Sequence, residues 1–387
     1  VSPSNLMKSS EKGLKDLLLR LLGEPNISSK EPLIRQYDHE VQGRTLEKPF
    51  TGINKDSPSD GGVIKPKYNS WRGITVTHGI CPWYSPLDTY HMAACAVDEA
   101  YRAHIALGGH PELTGGLDNF CWPDPVLSTE TPDGPKKLAQ LVRACRGLRD
   151  ACMAYGIPLI SGKDSMKNDA RLGDRKISVK PTLLISLMGI IEDVRGLVST
   201  DFKKVGHRIY CIGITKGETG GTFLERVAGL VSGDLGGPPR VDFGEAVKDY
   251  HATGKAIRRG LLSSCHDVSD GGLGVALAES ALGARLGVRI DLSGVLDQLR
   301  NNEEGYQEKK SEMDVHIRAL FCESPSRFIV SLPKDREEEL LHCFPKRKPV
   351  FLGEVIDSDR IILESEKKVI LNCSLDELVH AWKGSFS

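Results

Sequence analysis

The stretch His266-Asp267-Val268-Ser269-Asp270-Gly271-Gly272-Leu273 decides the fold. Polar side chains able to take up a metal ion or a phosphate stand just before two glycines and an apolar helical run. Gly271 and Gly272 leave room for close backbone approach. Leu273, Val275, Ala276, Leu277, Ala278 and Ala281 read as a buried helix face. A helix that starts at such a turn presents unpaired N–H groups and partial positive charge, which suit an anionic ligand. On chemistry alone Asp267 can hold a divalent cation and Ser269 a phosphate oxygen. The same residues also serve as an Asp/Ser N-cap with no ligand, and spacing leaves both readings open.

Moving outward, acid-and-glycine turns recur. Pro58-Ser59-Asp60-Gly61-Gly62-Val63-Ile64 reads as a loop entering a strand, and Gly73-Ile74-Thr75-Val76-Thr77-His78-Gly79 as a second strand. An acid in such a loop can bind Mg²⁺ through its hard oxygens, or simply shape the turn. Residues 88–107 form a helix with a face of small apolar residues, and Glu99 lies in its middle. Leu117-Asp118-Asn119-Phe120 reads as a strand end and loop, where an Asx turn competes with a ligand role for Asp118. A long amphipathic helix follows over residues 138–155. In Ile157-Pro158-Leu159-Ile160-Ser161-Gly162-Lys163-Asp164-Ser165-Met166 an apolar strand runs into a glycine loop. There Gly162 allows approach to a phosphate, Lys163 can neutralise one, and Ser165 can donate to one. A P-loop is rejected, since the upstream glycine of G-x-x-x-x-G-K-[ST] is missing.

The flanks carry less chemistry. Leu14, Leu17, Leu18, Leu19, Leu21 and Leu22 form the apolar side of one lead-in helix, expected to pack on the first domain, with residues 23–30 as a linker. Residues 34–46 read as a strand and turn, and 181–191 as a strand closing the first domain. The second domain reads as a βαβ-like sandwich with strands at 209–214, 289–292, 327–332 and 361–363. Residues 301–311, rich in Asn, Glu and Lys, read as a solvated insertion. Ser374 and Asp376 read as caps of a last short helix.

Composition narrows the class. At 387 residues the chain has room for about two or three domains. Its hydrophobic fraction of 40% is that of an ordinary globular protein. A net charge of −1 points to neither nucleic acid nor membrane as partner. No apolar run reaches the roughly 20 residues of a membrane span. The start has no signal-peptide pattern, and the 10 cysteines include no CxxC pair, which together favour reduced thiols in the cytoplasm and speak against zinc. Val1 in place of Met points to a fragment of something longer, or to a processed or trimmed chain.

HDVSDGGL is similar to the HDxSDGGL segment in the second domain of the AIR-synthetase-like ATP-binding superfamily. Within it, the chain resembles the formylglycinamide ribonucleotide amidotransferases (phosphoribosylformylglycinamidine synthases), in the later half of their synthetase part. The likeness is carried in order by Pro58 to Ile64, by Leu87-Asp88-Thr89-Tyr90 through Val97-Asp98-Glu99-Ala100-Tyr101-Arg102, and by Leu117 to Phe120. Ser161 to Met166, the opening stretch and Glu323-Ser324-Pro325-Ser326-Arg327 complete it. What the resemblance implies is an α/β (α+β) fold: a lead-in helix and linker over residues 1–35, then an N-terminal half-barrel-forming domain over 36–200. A flanking α/β sandwich domain over 201–387 follows.

The resemblance also implies roles. Asp60 would hold a nucleotide-bound magnesium with Ser59 beside the nucleotide, Glu99 would add a second carboxylate, and Asp267 and Ser269 would complete that site. The family's next ligand, an asparagine, falls on Ala103, which removes one donor. From the compact members, Asp118 and Gly162 would contact ATP and Ser165 the ribonucleotide; Lys163 replaces a metal-binding asparagine there, so no metal role passes to it. The implied reaction is ATP-dependent conversion of formylglycinamide ribonucleotide to its amidine, with Mg²⁺ and with ammonia from glutamine. The implied partners are that small-molecule substrate, a first synthetase half and a glutaminase domain or subunit, in a dimer or pseudo-dimer. No glutaminase domain and no His-rich catalytic loop of the first half is present in this sequence, so no catalytic residue is assigned and the chain alone reads as an incomplete catalyst. Two alternatives stay open: a homodimeric aminoimidazole ribonucleotide synthetase, whose N-terminal nucleotide loop is not evident here, and a non-catalytic nucleotide-binding scaffold half.

Overall fold

The computed structural model of the chain describes residues 11–173, 175–302 and 312–386. Of the insertion expected at 301–311, the first two residues end the helix Ser293–Asn302 and the rest lies outside the described residues.

Six strands form the first sheet: β1 (Thr45–Glu47), β2 (Gly62–Ile64), β3 (Gly73–Ile80), β4 (Thr114–Cys121), β5 (Leu159–Ser165) and β6 (Thr182–Ile191), in the order β1-β2-β3-β6-β4-β5. All pairs are antiparallel except β4 with β5. That parallel pair needs a crossover, which the helix α2 (Gly134–Tyr155) supplies between the two strands. Ahead of it in the chain, α1 (Thr89–Ala106) starts at Asp88, whose carboxylate accepts from the Tyr90 amide. The small residues of α1 bring it close to the sheet: a Cβ on Gly79 of β3 would sit 2.0 Å from the Ala96 carbonyl oxygen. Burial alternates along β3, with Thr75 and Thr77 inside and Val76, His78 and Ile80 outside. One face of the sheet is therefore covered by helices and the other is bare.

The second sheet has seven strands: β7 (Arg208–Ile212), β8 (Ser264–Asp267), β9 (Gly287–Asp291), β10 (Phe328–Leu332), β11 (Val350–Ile356), β12 (Arg360–Ser365) and β13 (Lys368–Ser374). Their order is β8-β10-β7-β11-β9-β12-β13, and only β9 with β12 is parallel. This is a largely antiparallel sheet rather than the βαβ-like unit expected. The helix α3 (Phe243–Arg258) leads towards β8, and α4 (Gly272–Ala284) leaves it. α4 is buried on nearly every side, with Glu279 as its one charged residue. Cys265, Phe328 and Val330 of this sheet share one apolar core with Ala96 and Ala100 of α1 and Tyr250 of α3. So α1 is gripped from both sides, by its own sheet and by the second, and this places its middle turns between the two.

Several local expectations change. Residues 34–46 are not a strand and turn: a helical turn, Glu31–Ile34, precedes an irregular stretch, and only Thr45–Glu47 is extended. Asp118 sits mid-strand, opposite Ile185, so it makes no Asx turn. The Gly162-Lys163-Asp164-Ser165 run is strand throughout, not a glycine loop. The lead-in helix Glu11–Leu22 does not pack on the first domain: Leu14, Leu17, Leu18, Leu21 and Leu22 join the core that α4 and the outer face of the second sheet build. The last helix, Leu375–Lys383, is closed by a capping box between Ser374 and Glu377, with no part for Asp376.

Candidate functional site

The turn quoted first is built by packing constraints. β8 ends at Asp267, Gly271 and Gly272 both take positive φ (77° and 72°), and α4 begins at once. Gly272 has no substitute here, since a Cβ would lie 2.3 Å from the Cys322 carbonyl oxygen. The N-cap position is Gly271, with no side-chain cap bond. Asp267 and Ser269 are thus not spent on capping the helix and turn elsewhere.

They turn towards the first domain. The Asp267 amide donates to Asp60 Oδ2 at 3.0 Å, and His266 Nδ1 meets Asp60 Oδ1 at 2.6 Å. His266 Nε2 lies 3.1 Å from Glu279 Oε2 on α4. Both ring nitrogens face carboxylates, which only accept, so the ring is an imidazolium. Burial works against that charge, but Asp60 and Glu279 outweigh it and hold the His266 pKa well above 6.5. Ligand atoms of Asp60, His266 and Asp267 lie within 4.8 Å of one another, but a doubly protonated ring has no lone pair for a metal, which leaves the two carboxylates as donors.

From α1, Arg102 reaches the same turn. Its guanidinium donates to Asp98 Oδ2 at 2.7 Å, to Asp267 Oδ2 at 3.2 Å and to Ser269 Oγ at 2.7 Å. One turn of helix earlier, Glu99 Oε2 accepts from the Ile80 amide at 2.8 Å. Ser59 Oγ donates to Glu47 Oε1 at 2.8 Å. Ser59, Asp60, Glu99, His266, Asp267, Ser269 and Asp270 line a cleft of about 690 Å³ including its open mouth. A smaller cavity of about 280 Å³ adjoins it behind Glu99, reaching Tyr84 and Glu323.

Charge in the cleft is unbalanced. Asp60, Glu99, Asp267, Asp270 and Glu279 face it against His266, with Arg102 in the adjoining cavity. Burial pushes Asp60 up to about 6 and Glu99 up to about 7. Burial, with Glu323 and Glu99 as neighbours, drives Asp270 well above the usual range. Only Asp267 is held low: burial opposes its charge, but Arg102 and His266 overcome it. A pocket of hard oxygen donors short of positive charge fits magnesium better than any softer metal. Asp60 and Asp267 stand close enough to hold such an ion together; Glu99 and Asp270 line the same cleft, but among the described residues neither joins them within ligand distance.

The other sequence candidates gather apart from this cleft. Asp118 and Gly162 are direct neighbours across the parallel pair, and a Cβ on Gly162 would lie 2.7 Å from Asp118 Oδ1. Ser165 ends the same strand, bonded to the Lys163 ammonium. These three line none of the acidic cleft; β6 stands between β4 and β3. Sequence reasoning assigned nothing to His266, Arg102, Asp270 or Glu279. The available signal was the tight spacing of charges in His266-Asp267-x-Ser269-Asp270 and the Glu99-x-x-Arg102 step along one helix face.

Two sheets that clasp one helix and pool their carboxylates beneath a glycine turn define a two-domain α/β protein of the AIR-synthetase-like kind. The sequence profile of the AIR synthase related proteins matches in both parts, the N-terminal domain over residues 58–191 and the C-terminal domain over 204–366. The chain belongs to that family. Among solved structures it is similar to T. maritima PurL complexed with FGAR, with a TM-score of 0.67 and 16% identity over 94% of this chain and 52% of that one. PurLQS from Thermotoga maritima gives 0.59 and 17% over 86% and 48%. AaThiL complexed with AMPPCP and TMP gives 0.52 and 15% over 80% and 88%. At such identities the likeness is one of fold. The chain spans about half the length of the T. maritima proteins it matches. Among the described residues no helix is long and apolar enough to cross a membrane.

Proposed function

We propose that the chain is the second synthetase half of a cytoplasmic, ATP-dependent C–N ligase of purine biosynthesis, which converts formylglycinamide ribonucleotide to its amidine with glutamine-derived ammonia. Its units are taken as a lead-in over 1–35, an N-terminal domain over 36–200 and a C-terminal domain over 201–387. The observation that carries the reading is the acidic cleft. Asp60 from one domain and His266-Asp267 from the other meet there, in a fold shared with a protein solved in complex with FGAR.

In this reading Asp60, Glu99 and Asp267 hold magnesium, while Ser59 and Ser269 meet phosphate oxygens. Bound magnesium supplies the positive charge that a polyphosphate needs beside so many carboxylates. Arg102 keeps Asp267 ionised, and His266 fixes the Asp60 carboxylate between the two domains. Asp118 and Gly162 are assigned to ATP contact and Ser165 to the ribonucleotide, at a second place on the exposed edge of the first sheet. In the reaction proposed, the substrate amide oxygen takes a phosphoryl group from ATP, and ammonia then displaces phosphate. The bare face of the first sheet, with Val76, Ile80 and Met188 each about two-fifths exposed, supports pairing with a first synthetase half in a pseudo-dimer.

A non-catalytic half with a structural nucleotide is the second reading. It is favoured by Ala103, which offers no donor in the cleft wall, and by Arg102, which already occupies Asp267 Oδ2. Rates separate the outcomes. The purified chain with ATP, substrate and ammonia is expected to show little turnover; adding a first synthetase half restores it. A robust rate from the chain alone would overturn its assignment as a half. Nucleotide retained through purification, with Asp60→Asn leaving the restored rate unchanged, would favour the structural reading.

A further inference from the structure

Residues 23–30 read from sequence as a linker, yet in the structure they wall the acidic cleft. Asn26 and Ile27 line it together with Asp60 and Asp270. The segment is fixed at every step. Leu14, Leu17, Leu18, Leu21 and Leu22 of the helix before it are fully buried. Glu24 accepts from Arg226 at 2.9 Å, the Ile27 amide donates to the Glu24 carbonyl at 2.8 Å, and the Ser29 amide donates to the Trp382 carbonyl at 2.8 Å. The Lys30 ammonium ties the carbonyls of Asn26 and Ser28 together. Ile27 packs over the glycine turn, where a Cβ on Gly271 would lie 3.2 Å from Ile27 Cδ1. A wall held this way is preformed for a ligand.

Its chemistry differs from that of the rest of the cleft. Carboxylates can face phosphate oxygens only across a cation, so Asp60, Glu99 and Asp267 define a metal–phosphate end. Asn26, Ile27 and Ala276 carry no charge. Asn26 Nδ2 makes only a long bond, 3.3 Å, to Glu24 Oε1, and Asn26 Oδ1 has no hydrogen-bond partner among the described residues. An exposed amide offers a donor and an acceptor side by side, the complement of a purine edge or a ribose hydroxyl, and the adjoining Ile27 suits the ring.

We propose that residues 23–30 form the nucleoside-binding wall of this cleft, with Asn26 bonded to the base or ribose and Ile27 packed beside it. The inference rests on reading the cleft as a magnesium–nucleotide site. Calorimetry of the full chain tests it with two ligands, Mg·ATP and Mg·tripolyphosphate, the second having no nucleoside. Asn26→Ala is expected to weaken ATP about tenfold, roughly one hydrogen bond's worth, and to leave tripolyphosphate within about twofold. Ile27→Ala should act in the same sense, with thermal melts confirming that both variants fold. Asp60→Asn should weaken both ligands. If Asn26→Ala leaves ATP binding unchanged, or weakens both ligands alike, the wall is overturned while the cleft reading stands. If the unmodified chain binds neither ligand, the cleft reading falls and the wall with it.

Discussion

His266 is held between Asp60 and Glu279, and the carboxyl groups around it are pushed up, Asp60 to about 6 and Glu99 to about 7. The sign of the pH dependence follows. Between about pH 4 and 7 the folded state binds more protons at these acids than the unfolded chain does, so stability falls as pH rises through that window. His266, raised above its ordinary value, contributes stability that is full below about 6.5 and is lost as pH passes its folded pKa. Both effects have one direction. Without divalent cation, the melting temperature is expected to fall from about pH 5 to pH 8, and Mg·nucleotide affinity to rise over the same range. Scanning calorimetry across that range checks this, and a flat or rising melting temperature contradicts it. Of the three carboxylates, Asp267 was legible from its glycine turn, whereas Asp60 and Glu99 became candidates through the family resemblance, since their local sequence equally suits a turn acid and a solvated helix residue. Their grouping was not legible, since Asp60 and His266 meet across 206 positions of chain. Arg102 escaped for the same reason, because its meaning lies in contacts with Asp267 and Ser269 rather than in its neighbours.

At the scale of elements, the glycine turn and the lead-in helix are the parts whose failure is easiest to measure. Gly272→Ala meets both a positive φ and the Cys322 carbonyl, and is expected to cost about 2–3 kcal/mol in urea unfolding. Loss below about 0.5 kcal/mol would show that the turn relaxes. Leu17→Ala removes a fully buried side chain and should cost about 2–5 kcal/mol, at the core of the second sheet rather than at the first domain, where the sequence reading expected this helix to pack. The helices themselves were legible from their apolar periodicity. Less legible were the strands through Asp118 and Gly162. A run such as Gly162-Lys163-Asp164-Ser165 has loop composition, and only parallel pairing with β4 makes it extended.

The whole molecule keeps one sheet face open. Val76, Ile80 and Met188 project from it, and the edge strand β5 exposes Leu159 and Ile160 as well. A monomeric protein rarely leaves so continuous an apolar face in water. The double variant Val76→Glu with Met188→Glu is therefore expected to abolish association, with a first synthetase half or with a second copy, at unchanged melting temperature. Sedimentation measures the first and calorimetry the second; association that survives both charges would place the interface elsewhere. The sequence could show this alternation along β3 but not which face the helices take, because that is decided by packing of α1 between two sheets.

In the function proposed, acidic turns from two domains converge on one cation beside a polyphosphate. A crystal of the chain with Mn²⁺ and a non-hydrolysable ATP analogue tests this convergence most directly, through the anomalous signal of manganese. A peak is expected in the acidic cleft about 2.0–2.3 Å from carboxylate oxygens of both Asp60 and Asp267, with phosphate density beside Ser269. A peak bound by only one domain, or located at Asp118 and Gly162 with the acidic cleft empty of metal, would contradict it.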